Sequence, residues 1–148
     1  MNKNQKNVII QQILSCNFSK ASILIKEMKY TELENLLLSI GYDNGQSIVI
    51  YAFICYLIEQ ENKIELHFIA QSILCGPLCY IEGAYTLALY HNKIVLSIDK
   101  DNVKAMTMML FFNTLPTPLI SAKEAKKYAN KILEKEPYNN VAIQFTEQ

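Results

Sequence analysis

The chain of 148 residues is 51% hydrophobic and only 19% charged, which excludes a disordered tail and leaves enough length for a buried core. Its 14 lysines balance 14 acidic residues, and there is no arginine to form bidentate forks on guanine or phosphate, so nucleic acid is not an expected partner. The longest apolar run, Ile48–Ile58, covers 11 residues. That is short of the roughly 20 a membrane span needs, and no small-residue cleavage site follows MNKNQKNVIIQQIL; a cytoplasmic protein with no membrane partner is expected.

In chain order, residues 1–6 are polar and are expected to be disordered, the remainder of 1–148 forming one domain. VIIQQILSC (8–16) reads as a first helix with Ile9, Ile13 and Cys16 on one face, and ASILIKEMK (21–29) as a second. Thr31 and Glu34 have capping-box spacing before a third helix, and Gly41 stands where a C-cap glycine would close it. GYDNG (41–45) is a loop. QSIVIYAFICYLIEQ is rich in β-branched and aromatic residues, yet its length and lack of alternation predict a helix buried nearly all round.

Asn62 is positioned to cap a fifth helix, KIELHFIAQSILC, which Gly76-Pro77 ends. Apolar spacing then predicts one long helix over Leu78–Ile98, the most buried in the chain. Val103–Leu115 follows, stopped by Pro116-Thr117-Pro118. A second capping box, Ser121 to Glu124, opens a lysine-faced helix that Pro137 stops, and VAIQF makes a short final turn or helix. The fold class is all-α, with seven to nine helices in antiparallel pairs.

Four cysteines raise the question of redox or metal chemistry. Cys16 and Cys55 lie in apolar stretches and read as small buried hydrophobes. Cys75 and Cys79 in CGPLC are spaced C-x3-C, one residue too long for a thioredoxin motif, and His67 and His91 stand apart from any metal-ligand pattern. No phosphate loop or catalytic triad can be assembled, so neither cofactor nor enzymatic activity is expected.

Two segments align: ALYHNKIVLSIDKDN (88–102) and AKKYANKILEKEPYNN (125–140). Ala88 matches Ala125, Val95-Leu96 matches Ile132-Leu133, Asp99 matches Glu136, and each ends in an Asn-bearing turn. This resembles the second helix and closing turn of a tetratricopeptide repeat, with Pro137 as its terminal proline and Lys100 in that place in the first copy. The offset is 37 residues against the family's 34, no copy aligns within residues 1–60, and Gly76-Pro77 interrupts the preceding helix. Over residues 62–145 the resemblance implies helix pairs wound into a right-handed α-α superhelix that binds proteins or peptides along a groove. The lack of arginine and the wealth of Asn, Ile and Lys fit an AT-rich bacterial genome, where such a module would serve as an adaptor, a regulator, or an immunity protein or antitoxin that blocks a toxin.

On that reading another protein or peptide is the partner, and His67, Glu82, Tyr85, Met106 and Met109 are the candidate contacts. They combine polar groups with aromatic and thioether anchors of the kind found at interface centres. The alternative is a small enzyme with a site around His67 and Glu82. The lysines at 123, 126, 127, 131 and 135 form a solvated face, or a docking surface for an acidic partner.

Overall fold

A computed structural model describes residues 3–43 and 47–146, and among these the chain is all-helical. Nine helices follow in order: α1 (Lys3–Leu14), α2 (Phe18–Leu24), α3 (Tyr30–Asp43), α4 (Val49–Gln60), α5 (Ile64–Cys75), α6 (Ala84–Ile98), α7 (Val103–Thr114), α8 (Ala122–Lys135) and α9 (Asn140–Thr146). Where one domain is expected from length, the residues group into two compact units, Met1–Ala84 and Tyr85–Gln148.

In the N-terminal unit α4 and α3 pack on α5, and α1 packs on α2 and α4. Ile13, Leu37, Ile40, Ile50, Phe53, Ile54, Ile69 and Ile73 form the centre of its core. Helix α1 begins at Lys3, inside the stretch expected to be disordered; Met1 and Asn2 lie outside the described residues. It ends at Leu14 rather than Cys16. The Cys16 N–H donates to Ile13 O (2.9 Å) and the Asn17 N–H to Gln12 O (2.9 Å), with Cys16 at φ 57°. That is a Schellman ending with cysteine where glycine is usual, and it leaves Cys16 exposed, contrary to its expected burial.

Helix α3 is capped two residues earlier than the spacing implies. The Glu32 carboxylate accepts from the Lys29 N–H (3.1 Å), while Glu34 accepts from the Ser72 hydroxyl. The helix then runs through Gly41, so this glycine is no C-cap. A Cβ there would lie 2.6 Å from Pro77 Cγ and 2.8 Å from Ile50 Cδ1, so the residue is small because the Pro77 ring packs against its backbone. Of the GYDNG loop, 44 and 45 lie outside the described residues. Helix α4 is less enclosed than its apolar run suggests: Ile50, Phe53 and Ile54 are buried and Tyr51, Cys55, Tyr56, Leu57 and Ile58 only partly so.

The expected helix over Leu78–Ile98 is two things. Residues 76–83 are consecutive turns, with the Leu78 N–H on Ile73 O (3.1 Å) and the Cys79 N–H on Gly76 O (3.2 Å). Gly83 then adopts φ +81°, a left-handed conformation that glycine takes at no steric cost, and α6 starts after it. Leu78 is enclosed in the N-terminal core and Ile81 packs against it, which explains apolar spacing without a helix. Helix α5, not α6, has the larger share of enclosed residues: Leu66, His67, Ile69, Ala70, Gln71, Ile73 and Leu74.

In the C-terminal unit α7 packs on α8, and α8 on α9. Met106, Met109, Leu110 and Phe112 are fully buried beside Ala125, Ala129 and Ile132 of the alanine-rich face of α8. The Ser121 cap is present as read, its hydroxyl accepting from the Glu124 N–H at 3.2 Å.

Candidate functional site

Of the five candidate contacts, three are enclosed. His67 lies in α5, buried, with Nε2 2.7 Å from Asn62 Oδ1, so that this ring nitrogen donates and Asn62 is engaged with the imidazole instead of capping α5. Burial pushes the His67 pKa below its ordinary value, favouring the neutral ring. Met106 and Met109 are fully buried on α7 and offer no surface to a partner. Glu82 is exposed, in the turns before α6 rather than on a helix. Tyr85 is half-buried in the first turn of α6, its ring 6.0 Å from Phe111. His67 and Glu82 belong to the N-terminal unit, and Tyr85, Met106 and Met109 to the C-terminal unit.

The N-terminal unit contains a cleft of about 740 Å³ between α1, the end of α2 and α3. Ile9 and Leu36 line its buried side, Val8 and Leu24 are exposed walls, and Glu27 and Glu32 add carboxylates. Its lining is mixed, with Asn4, Gln5, Lys6 and Asn35 adding further polar groups beside the apolar side chains. None of the five candidate contacts lines it. The available signal was α2 itself: a helix of seven residues carrying Ile23 and Leu24 with only Ala21 buried cannot hide its apolar residues on one face.

In the C-terminal unit the aligned segments carry the same turn twice. After α6 the Asp99 N–H donates to Val95 O (2.8 Å), the Asn102 amide to Asp99 Oδ2 (3.1 Å), and the Ala105 N–H to Asn102 Oδ1 (3.0 Å). After α8 the Glu136 N–H donates to Ile132 O (2.8 Å), the Asn139 amide to Glu136 Oε2 (2.8 Å), and the Ala142 N–H to Asn139 Oδ1 (3.1 Å). Each partner in the second set stands 37 positions after its equivalent in the first. Asparagine therefore caps the following helix while its own amide is held by an acid three residues earlier. Ala88 and Ala125, Val95 and Ile132, and Ala105 and Ala142 are all fully buried at equivalent places. Other buried positions differ between the two segments; Asn92, for one, donates to Ala105 O at 2.9 Å, and its equivalent is Ala129.

The outward faces of the two copies differ. Tyr90, Ile94 and Ile98 on α6 correspond to Lys127, Lys131 and Lys135 on α8. Lys135 reaches Asp101 at 3.9 Å, and none of Lys123, Lys126, Lys127 and Lys131 forms an ion pair among the described residues. Lys123, Lys127, Lys131 and Lys135 repeat every fourth residue, a row of about 18 Å in which each like-charge neighbour weakens the helix slightly.

Among the described residues the cysteines are free, and no group of three or more His, Cys, Asp or Glu side chains is placed to hold a metal ion. Cys75 is pushed up to about 11 by burial and then by the neighbouring Cys79, which keeps it a protonated, unreactive thiol. No described helix is long and apolar enough to cross a membrane. Comparison with known proteins yields no match to a family model, to a curated protein or to a solved structure.

Proposed function

We propose that this protein is a non-enzymatic protein-binding module of helical-repeat type, acting in the cytoplasm as an adaptor or regulator; blocking a toxin as an immunity protein is one form of that employment. The observation that carries the reading is the turn repeated at 37 residues with the same three hydrogen bonds and the same enclosed small residues. Stacked helix pairs of this kind, continued as the right-handed superhelix of tetratricopeptide proteins, bury their cores between neighbours and present long faces to partners. His67, one of the two residues of the rival enzyme reading, is enclosed and engaged by Asn62, which favours binding over catalysis.

The test is capture of a stoichiometric partner by the purified protein from a bacterium that encodes it, followed by cross-linking to map the contact. A partner joined to the outward faces of residues 62–145 or to the α1–α3 cleft supports the module. A protein that captures nothing, yet turns over a small molecule in a way abolished by His67→Ala or Glu82→Gln, overturns it.

A further inference from the structure

Lysine is not what the repeat demands on the outer face of α8, because the equivalent α6 positions are Tyr90, Ile94 and Ile98. The row at Lys123, Lys127 and Lys131, with Lys126 beside it, has no carboxylate in ion-pair contact, and Glu124 and Glu134 are the acids on the same helix. The alanine-rich face behind it is buried, so the row is held outward by the core. Past the end of α8 the turn projects Tyr138, 91% exposed, with Val141 exposed one turn further on. Their equivalents in the first copy are Asp101 and Lys104, so this pair of apolar residues is likewise no requirement of the repeat. A cationic row without ion pairs and, three residues past the end of α8, an exposed aromatic are the make-up of an interface with one charged and one apolar anchor.

We propose that the outer face of α8 and Tyr138 together form a docking surface for an acidic segment of a partner protein, its carboxylates meeting Lys123, Lys126, Lys127 and Lys131 and an apolar side chain covering Tyr138. This deepens the protein-binding reading and rests on it. Charge selects the occupant. Two copies of the chain meeting through this face would set lysine against lysine. Duplex nucleic acid is disfavoured because the chain has no arginine fork and no net positive charge. A membrane surface is disfavoured because the apolar side of α8 is already buried, leaving too little to insert.

The experiment uses the full chain and a fluorescein-labelled 16-residue synthetic peptide with glutamate at every fourth position and leucines on the adjoining helical face. Binding is read by anisotropy at low and moderate salt. The peptide should bind the native protein, and Lys127→Glu/Lys131→Glu should weaken it at least tenfold, with unchanged circular dichroism. Tyr138→Ser should weaken it several-fold, most visibly at the higher salt where the lysine contribution is screened. Equal binding by the charge-reversed variant overturns the proposal. So does tighter binding to a 16-base-pair DNA duplex or to phosphatidylserine vesicles, or self-association that the charge reversal abolishes. If the peptide fails while a natural partner is still captured through another face, this surface is wrong and the module stands; if no partner is captured at all, the module itself falls.

Discussion

The two units of this molecule end their helices in different ways. In the N-terminal unit each junction is a separate solution. Cys16 takes a left-handed conformation to close α1, and Glu32 reaches back to the Lys29 N–H to open α3. The C-terminal unit uses one device twice, an acid holding an asparagine that caps the next helix. The same capping hydrogen bonds stand behind two different outward faces, Tyr90, Ile94 and Ile98 before one turn and Lys127, Lys131 and Lys135 before the other, so the turn does not depend on the chemistry of the face that precedes it.

The comparison between the two copies can be broken first at their cores. Met106 is fully enclosed on α7, and its equivalent Ile143 on α9 is only partly so. Met106→Ala should cost about 2–5 kcal/mol in denaturant unfolding, and Ile143→Ala clearly less. Equal costs would mean that α9 is packed as deeply as α7, and the asymmetry between copies would vanish.

The caps sharpen it next. Asn102→Ala and Asn139→Ala should each cost about 1 kcal/mol, and the double variant should show their sum because the two turns share no partner. A cost at one turn with none at the other would show that matching hydrogen bonds carry unequal weight.

The smallest effect separates the units by pH. His67 is held below its ordinary pKa of 6.5 by burial, so the folded N-terminal unit prefers the neutral ring. As pH falls, the unfolded chain binds the proton first. The stability this histidine contributes is therefore complete above the unfolded value and is lost progressively below it. Unfolding free energies measured between pH 5 and 8 should fall more steeply on the acid side for the native protein than for His67→Gln. Parallel curves would remove His67 from the account.

How much of this was legible beforehand depends on how local the cause is. All-α class, the Val103 start of α7, the Ser121 cap and the 37-residue correspondence are written in periodicity and capping residues, which act over one or two helical turns. Those are properties of the chain itself. Burial is not. Cys16 sits in an apolar stretch yet is exposed, while Met106 and Met109, residue types suited to anchor a partner, are core.

Leu78 and Ile81 show the reason most clearly. Their spacing is helical, but a segment of consecutive turns that lays two apolar side chains against a neighbouring core produces the same spacing. Only the position of α3, α4 and α5 decides which of the two it is. Gly41 is the same lesson in one residue. A glycine after an apolar run signals a helix end, unless another element approaches closely enough to forbid a Cβ, and at 2.6 Å Pro77 does. Helical class and the turn at a 37-residue offset are legible in the chain because hydrogen bonds between near neighbours form them, though the bounds of α1, α3 and α6 are not. Tertiary structure alone decided which faces are covered, because burial depends on residues far away along the chain that the fold brings within contact distance.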